Sequence, residues 1–328
     1  MITSRTPLRV SFLGGGTDFP SFFDSNPGYV LGTTINKYVY VSILSLPQFA
    51  EEKYRFTYRI TESVLDYREF LHPVVREVLV DRGWVQPINV ATMADLPGRS
   101  GLGSSSSFTV GFLNVLNEFN SRKVDPAQLA QDAVRIEREL LREPGGWQDQ
   151  YHAAVGGFKL YKFHAGVVSS SMFRIDPEFV DYVSGSMVMV PMQNWRDSGG
   201  FADITSRGVR SGGGNRLALG LANLTLETSQ YLTSSNSLTR KFEVLGSAIN
   251  EAWRIKVALS EDSLDPAVQK KISEGLALGA TAGRLCGAGG TGFLLFLVAP
   301  DKRTTFIERM SSDFAFPVSV AENGSEIL

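Results

Sequence analysis

The sequence predicts an α+β fold, and three observations carry that reading. Residues 2–13, 28–46, 54–60 and 87–93 are rich in β-branched and aromatic side chains and read as strands. This strand-rich text gives way to a helix in which Phe108, Phe112, Val115, Leu116 and Phe119 recur at helical spacing. A strand at Met187 to Val190 then opens a second half dominated by helices at about 215–232, 238–259 and 265–280. Strands first and a helix packed on them indicate an α+β layer. At 328 residues and 43% hydrophobic content, the chain can fill one large core or two ordinary ones.

Taken in order, residues 2–13 end in Val10, Ser11, Phe12 and Leu13 and run into Gly14, Gly15 and Gly16, with Thr17 and Asp18 directly after. A strand that ends this way places the polar pair at a sheet edge, where a ligand can meet it; an aspartate-capped glycine turn is the plainer alternative. Residues 28–46 read as two strands broken near Asn36 and Lys37, and Lys37 reads as a solvated hairpin lysine or as a phosphate ligand. Phe70 to Arg82 reads as a helix with Leu71, Val74, Val75, Val78 and Leu79 on its apolar face.

The most informative stretch follows, from Asp95 to Phe119. Its first half holds Pro97, Gly98, Gly101, Leu102 and Gly103 and then the run Ser104, Ser105, Ser106, Ser107; its second half is the helix. A helix start carries unpaired N–H groups and the positive end of the dipole, and glycines let a polyanion touch them, so the physical expectation is a phosphate cradle. A serine-capped helix would need far fewer of these residues. The Walker P-loop is excluded, because no lysine lies between Asp95 and Phe119.

Asp125 and Pro126 start the next helix, with Leu129, Ala133, Ile136 and Leu140 as its buried stripe. Glu137 borders that stripe and needs a cation, either an arginine such as Arg135 or Arg138, or Mg²⁺ bound to nucleotide phosphates. Asp149 follows the glycine turn Pro144, Gly145, Gly146, and His152 beside it reads as structural. Phe158 to Phe163 and Val167 to Phe173 read as a hairpin. From Gln193 to Asn215 glycines interrupt a polar segment holding Arg196, Arg207 and Arg210, the best candidate for a lid and for an arginine that grips a substrate phosphate. Gly287, Gly289 and Gly292 satisfy G-x-G-x-x-G, but the run follows a helix and opens the strand Phe293 to Val298, the reverse of the dinucleotide fingerprint. A helix from about 301 to 313 and a strand near Phe316 to Val320 finish the chain.

Composition narrows the function. A net charge of −2 and a pI near 6.0 argue against nucleic-acid binding. The single cysteine, Cys286, rules out an internal disulfide and fits a reducing compartment. The N-terminus has no apolar h-region and the longest apolar run is far too short for a membrane span, so the expectation is a cytoplasmic protein without a membrane partner. Three histidines and one cysteine, all scattered, make a dedicated zinc site improbable.

The serine loop resembles the PxxxGLGSSxS signature of the GHMP kinases, the family of galactokinase, homoserine kinase and mevalonate kinase. RTPLRVSFLGGGTDFP is similar to the opening motif of its sugar kinases, with Gly15 and Gly16 where galactokinases carry Glu-His, and RLCGAGGTGF resembles its third motif, usually KxxGAGxGG. PGGWQDQY resembles the GIMDQ region, and the 12 residues from Glu137 to Asp149 equal the galactokinase interval. The resemblance implies a two-domain GHMP kinase fold: residues 1–184 as a ribosomal protein S5 domain 2-like unit with the ATP loop, and 185–328 as a ferredoxin-like unit. It also implies ATP held around Pro97, Gly98 and Gly101 to Ser106, Mg²⁺ on Ser105 and Glu137, and Asp149 with Arg9 as the catalytic pair. Gly16, Thr17, Asp18, Arg196, Gly289 and Gly290 would hold the acceptor. The flanking text is closest to the heptose-phosphate kinases, which phosphorylate the anomeric hydroxyl of D-glycero-D-manno-heptose 7-phosphate on the route to GDP-heptose; Trp147 stands where that subgroup commonly has lysine. A same-fold kinase for another sugar, such as L-fucose, and a catalytically silent nucleotide or sugar sensor are the alternatives. The sequence leaves the oligomeric state open, with a homodimer among the arrangements it allows.

Overall fold

The computed structural model describes residues 1–47, 49–98, 100–170, 173–192, 212–259, 265–287 and 292–328. β1 (Ile2–Leu13) and β2 (Gly28–Ser45) form an antiparallel ribbon that founds the first sheet. β2 is one strand where two were expected. A register shift between Pro7 and Leu8 absorbs Asn36 and Lys37 as a bulge, and the Ser319 N–H donates to Asn36 Oδ1 at 2.9 Å to hold it. Re-aimed by the bulge, β2 pairs with β5 (Ile88–Ala94) along Val39–Ser45 and with β6 (Phe158–His164) along Gly28–Thr33. Lys37 lies over the Phe316 ring, 5.7 Å from its centroid, as a packed surface lysine. β3 (Tyr54–Thr57), parallel to β5, and β4 (Thr61–Val64) extend one edge, and β7 (Val167–Ser169) pairs with β6.

Helices cover this sheet. α1 (Pro20–Phe23) is a single turn, and α2 (Pro73–Asp81) begins only at its proline, so Leu71, expected on the apolar face, precedes the helix and is 74% exposed. α3 (Ser104–Phe119) lies against β1 and β2. Gly111 permits that approach: a Cβ there would lie 2.7 Å from Thr6 Oγ1 and 2.9 Å from Ser4 Oγ, and Ser4 Oγ donates to the Gly111 carbonyl. α4 (Pro126–Val134) is N-capped by Asp125, whose carboxylate accepts from the Ala127 and Gln128 N–H groups. It runs into a π-helical turn, Arg135–Leu140, whose wider winding turns Ile136 and Glu137 inward and leaves Leu140, expected in the buried stripe, 39% exposed. α5 (Gln148–Val155) and α6 (Pro177–Ser184) complete the first half.

The second sheet is antiparallel, in the order β11 (Phe316–Pro317), β8 (Met187–Pro191), β10 (Phe293–Leu297), β9 (Ala282–Leu285). β10 is buried at every position, in keeping with its purely apolar sequence. α7 (Gly212–Leu232) and α8 (Leu238–Leu259) pack together, α7 also against β2, while α8 and α9 (Pro266–Ala277) pack on β9 and α10 (Arg303–Arg309) on β8. The glycine run after Arg284 therefore follows a short strand, not a helix, and joins β9 to β10. The chain then returns: β12 (Glu326–Ile327) pairs with β1, so the expected second unit, 185–328, contributes its last strand to the first sheet. Arg196, Arg207 and Arg210 of the expected lid, and Gly289 and Gly290, lie outside the described residues.

Candidate active site

Three chain segments converge where β1 ends. The loop before α3 turns through two left-handed glycines, Gly101 (φ 75°) and Gly103 (φ 76°), and Gly103, the N-cap of α3, makes no side-chain cap to the helix start. Ser104 is half-buried and Ser105 exposed on that first turn, while Pro97 and Gly98 are exposed where the loop begins. An uncapped 16-residue helix opening with its N–H groups beside glycines fits the phosphates of a nucleotide.

Arg9, on β1, links this loop to α5. Its Nε donates to Asp149 Oδ1 and its Nη2 to Asp149 Oδ2, both at 2.8 Å, and its Nη1 donates to the Gly101 carbonyl at 2.6 Å. The Arg9 N–H also donates to the Leu102 carbonyl, so the arginine is held by the loop it braces. Burial opposes the guanidinium charge, but Asp149 raises its pKa nonetheless. Asp149 occupies the first turn of α5, where the dipole favours an anion, and its side chain keeps 22% exposure against 7% for Arg9. Gly103 keeps this corner open: a Cβ there would stand 3.2 Å from Arg9 Cγ and 3.5 Å from Asp149 Oδ2.

Asp18 lies on the other side of Asp149, fully buried, accepting from the Gly16 N–H at 2.9 Å and the Gln148 N–H at 3.1 Å. Burial raises its pKa, partly offset by the Gly16 N–H. Gly146 must be glycine, since a Cβ there would fall 1.9 Å from Asp18 Oδ2. Thr17 is drawn into the turn instead: its hydroxyl donates to the Gly14 and Tyr29 carbonyls and accepts from the Tyr29 N–H. Ser11 Oγ donates to Gln148 Oε1 at 2.6 Å, tying β1 to the start of α5.

Glu137 is 1% exposed and faces the first turns of α3. It accepts from Ser106 Oγ at 2.8 Å, from Thr109 Oγ1 at 2.6 Å and from Gln150 Nε2, with Arg138 Nη2 at 3.5 Å. Of the two arginines expected beside it, Arg138 is the neighbour, and Arg135 pairs with Asp81 at 2.6 Å. The expected metal pair was Ser105 with Glu137; the structure brings Ser106, not Ser105, to the carboxylate. At the N-terminal end of α3 the Glu137 carboxylate and the Ser106 and Thr109 hydroxyls offer oxygen donors of the kind Mg²⁺ takes, so these residues fit that ion.

The run around Gly287 lies against the serine loop, backbone to backbone. A Cβ on Gly287 would sit 2.5 Å from Gly101 Cα, one on Gly101 would sit 2.6 Å from the Cys286 carbonyl oxygen, and one on Gly292 would sit 2.4 Å from the Ser100 carbonyl oxygen. Two glycine loops from different sheets thus meet beside an arginine-clamped aspartate.

Comparison with known proteins decides the family. The GHMP kinase N-terminal domain matches residues 69–157 and the GHMP kinase C-terminal domain residues 235–313. The chain belongs to the GHMP kinases. It is 27% identical over 326 residues to the D-glycero-alpha-D-manno-heptose 7-phosphate kinase of Campylobacter jejuni, covering 95% of this chain and 94% of that protein. It is 26% identical to the L-fucokinase/L-fucose-1-P guanylyltransferase of Bacteroides fragilis, across 97% of this chain but 38% of that longer protein. Among solved structures, a D-glycero-D-manno-heptose 1-phosphate kinase from Bacteroides thetaiotaomicron matches with TM-score 0.79 at 22% identity over 100% of this chain and 99% of its own. The Methanococcus jannaschii mevalonate kinase matches with TM-score 0.74 at 13% identity over 98% of each chain. This GHMP kinase therefore has the family fold in both halves, and among its described residues no helix is long and apolar enough to cross a membrane.

Sequence reasoning missed Ser106, Thr109 and Gln150 as the partners of Glu137. Ser106 and Thr109 stand three apart, one face of a helix, which is the signal that pairs them. It also passed over Lys256, a lysine in the apolar stripe Leu245, Ile249, Ala252, Trp253, Leu259 of α8.

Proposed function

We propose that this GHMP kinase transfers the γ-phosphoryl group of ATP to the anomeric hydroxyl of D-glycero-D-manno-heptose 7-phosphate, giving the 1,7-bisphosphate. The observation that carries the transfer is the contact of the Arg9–Asp149 pair with Gly101 and Gly103 of the phosphate-binding loop. The acceptor rests on the likeness to the Campylobacter jejuni protein along 95% of this chain.

In this reading the N–H groups from Gly101 to Ser106 hold the nucleotide phosphates, with Pro97 and Gly98 at the mouth of the loop. Glu137, with the serines of the first helical turn, would hold Mg²⁺, which would supply positive charge to neutralise the nucleotide phosphates. Asp149 accepts a hydrogen bond from the sugar hydroxyl and takes up its proton as transfer proceeds; Arg9 fixes the carboxylate by two parallel bonds. Asp18 and the Gly16 turn orient the remaining hydroxyls, with Arg196, Gly289 and Gly290 as the further acceptor contacts. Phosphoryl transfer depends mainly on in-line positioning and charge neutralisation, which this rigid arrangement supplies.

A second reading, a free sugar such as L-fucose as acceptor, is favoured by Trp147. Its backbone N–H donates to the Asp18 carbonyl at 3.1 Å and its ring packs edge-on to Phe23 at 4.8 Å, placing an indole next to the acceptor turn. The test is ADP release with Mg-ATP across heptose 7-phosphate, mannose 6-phosphate, L-fucose and other free sugars. Turnover confined to heptose 7-phosphate supports the proposal; turnover on L-fucose replaces the acceptor, and ATP binding without turnover replaces the enzyme with a sensor.

A further inference from the structure

β1 holds the start of α5 at two points. Arg9 and Ser11 are alternate residues in a regular stretch of the strand, opposite Thr34 and Gly32, so their side chains leave from one face about 6.6 Å apart. Arg9 grips the Asp149 carboxylate, and Ser11 Oγ donates to Gln148 Oε1 at 2.6 Å. The carboxylate and the amide are therefore held by anchors spaced on the scale of a sugar ring. A primary amide carries two N–H donors besides its oxygen. Gln148 is 8% exposed, yet its Nε2 has no hydrogen-bond partner among the described residues. A donor enclosed to that degree is costly unless something pairs with it.

Gly15 faces that amide. Its neighbours Gly14 and Gly16 have left-handed backbones, φ 85° and 108°, and a Cβ on Gly14 would overlap the Tyr29 carbonyl, so the turn needs both glycines. Gly15 is different. Its φ is not left-handed, and among the described residues a Cβ there would meet only Gln148 Nε2 at 3.5 Å and Ser11 Oγ at 3.6 Å, ordinary contact distances. Neither backbone nor packing requires glycine at 15; what the missing side chain does is leave Nε2 uncovered beside a half-buried turn. We propose that Gln148 is a specificity-determining residue of the acceptor site: its Nε2 donates to a hydroxyl of the sugar, and the bare Gly15 lets that hydroxyl reach it. This rests on the reading of the chain as a sugar kinase and deepens it. Asp18 accepts from the Gln148 N–H and Asp149 follows in the chain, so two carboxylates flank the amide. That neighbourhood favours a neutral hydroxyl over a phosphate oxygen. With Asp149 on the reacting hydroxyl, Gln148 reads a second position of the same ring.

The experiment compares the wild type with Gln148→Met and Gly15→Ala, reading kcat/KM for heptose 7-phosphate and for its monodeoxy derivatives, with KM for ATP alongside. In the wild type one deoxy derivative should fall behind the parent sugar by at least about tenfold. Gln148→Met should lose at least about tenfold on the parent and no longer distinguish that derivative, with KM for ATP within a few fold of the wild type. Gly15→Ala keeps the glutamine but covers its amide, and should show the same loss with an unchanged Tm. Discrimination among the derivatives that survives in Gln148→Met, or an equal loss on every acceptor, overturns the contact. Each comparison is a ratio within one acceptor series, so it is separable from the acceptor assignment: if L-fucose proves to be the substrate, its own deoxy derivatives serve. Where no sugar turns over, thermal stabilisation by heptose 7-phosphate or L-fucose in the presence of ADP takes the place of kinetics. Stabilisation lost in a folded Gln148→Met supports the contact; equal stabilisation of both proteins, or none, overturns it.

Discussion

At the scale of single residues, Asp149 is the base of the proposed transfer and His152 is a buried titratable group beside it. Asp149→Asn keeps the shape of the Arg9 contact but removes the base and half of the ion pair. Turnover should fall at least about a hundredfold while KM for ATP stays within a few fold; steady-state kinetics with unchanged turnover would remove Asp149 from the mechanism. His152, one turn along α5, is fully buried against Tyr161, 4.8 Å between ring centroids, and among the described residues neither ring nitrogen has a hydrogen-bond partner. Burial, aided by Arg9, lowers its pKa from 6.5 to about 3. Between those values the unfolded chain binds the proton and the folded one does not, so stability falls as pH drops below about 6.5 and goes on falling toward pH 3. This single group contributes up to about 1.4 kcal/mol per pH unit within that window. His152→Phe removes the titrating group from an aromatic pocket, and denaturant unfolding at several pH values should show a shallower acid slope than the wild type. The sequence marks Asp149 through its glycine turn and its distance from Glu137, but the partners of these carboxylates are invisible there. Hydrogen bonds between residues 31 or 140 positions apart leave no local pattern.

Among the elements, the two glycine loops are the critical pair. Gly287 has φ 76° and its missing side chain leaves room for Gly101, so Gly287→Ala both strains the backbone and drives the loops apart. The expected outcome is a loss of about 1–3 kcal/mol in stability by thermal unfolding, with a higher KM for ATP as the serine loop shifts. Both loops were legible as glycine-rich text, and α3 as an amphipathic helix that begins at the serine run. What local text did not carry was the bulge that makes β2 a single strand, the short β9 before the second loop, and the π turn that swings Leu140 outward. Each depends on how a segment is paired by something distant: β2 by Ser319, β9 by β10, and the Arg135–Leu140 turn by the contacts that Glu137 makes with α3.

For the whole molecule, the first and second sheets are joined by more than the covalent chain. β12 returns to β1, where Arg5 and Glu326 pair at 2.7 Å, and α7 lies against β2. That ion pair is about one-third exposed and contributes little, roughly 0–1 kcal/mol; the strand pairing and apolar cover do more. Because the serine loop of the first sheet touches the Gly287 loop of the second, a nucleotide seated there braces both. Mg-ATP at about 100 times its Kd should stabilise the native state by about 2.7 kcal/mol, raising Tm in a single cooperative transition. A nucleotide that leaves Tm unmoved would count against the serine loop as its seat.

By itself the sequence determined the α+β class, the helix starts at Asp125 and the serine run, and the glycine turns before the serines and before Asp149, because capping, glycine content and periodicity are local properties. Only the tertiary structure decided that Arg9 grips Asp149, that Ser106 and not Ser105 reaches Glu137, that the tail rejoins the first sheet, and that Ser11 holds the Gln148 amide. Those are matters of which distant residues are brought within a few ångströms. Chain packing sets that distance, and no neighbouring residue records it.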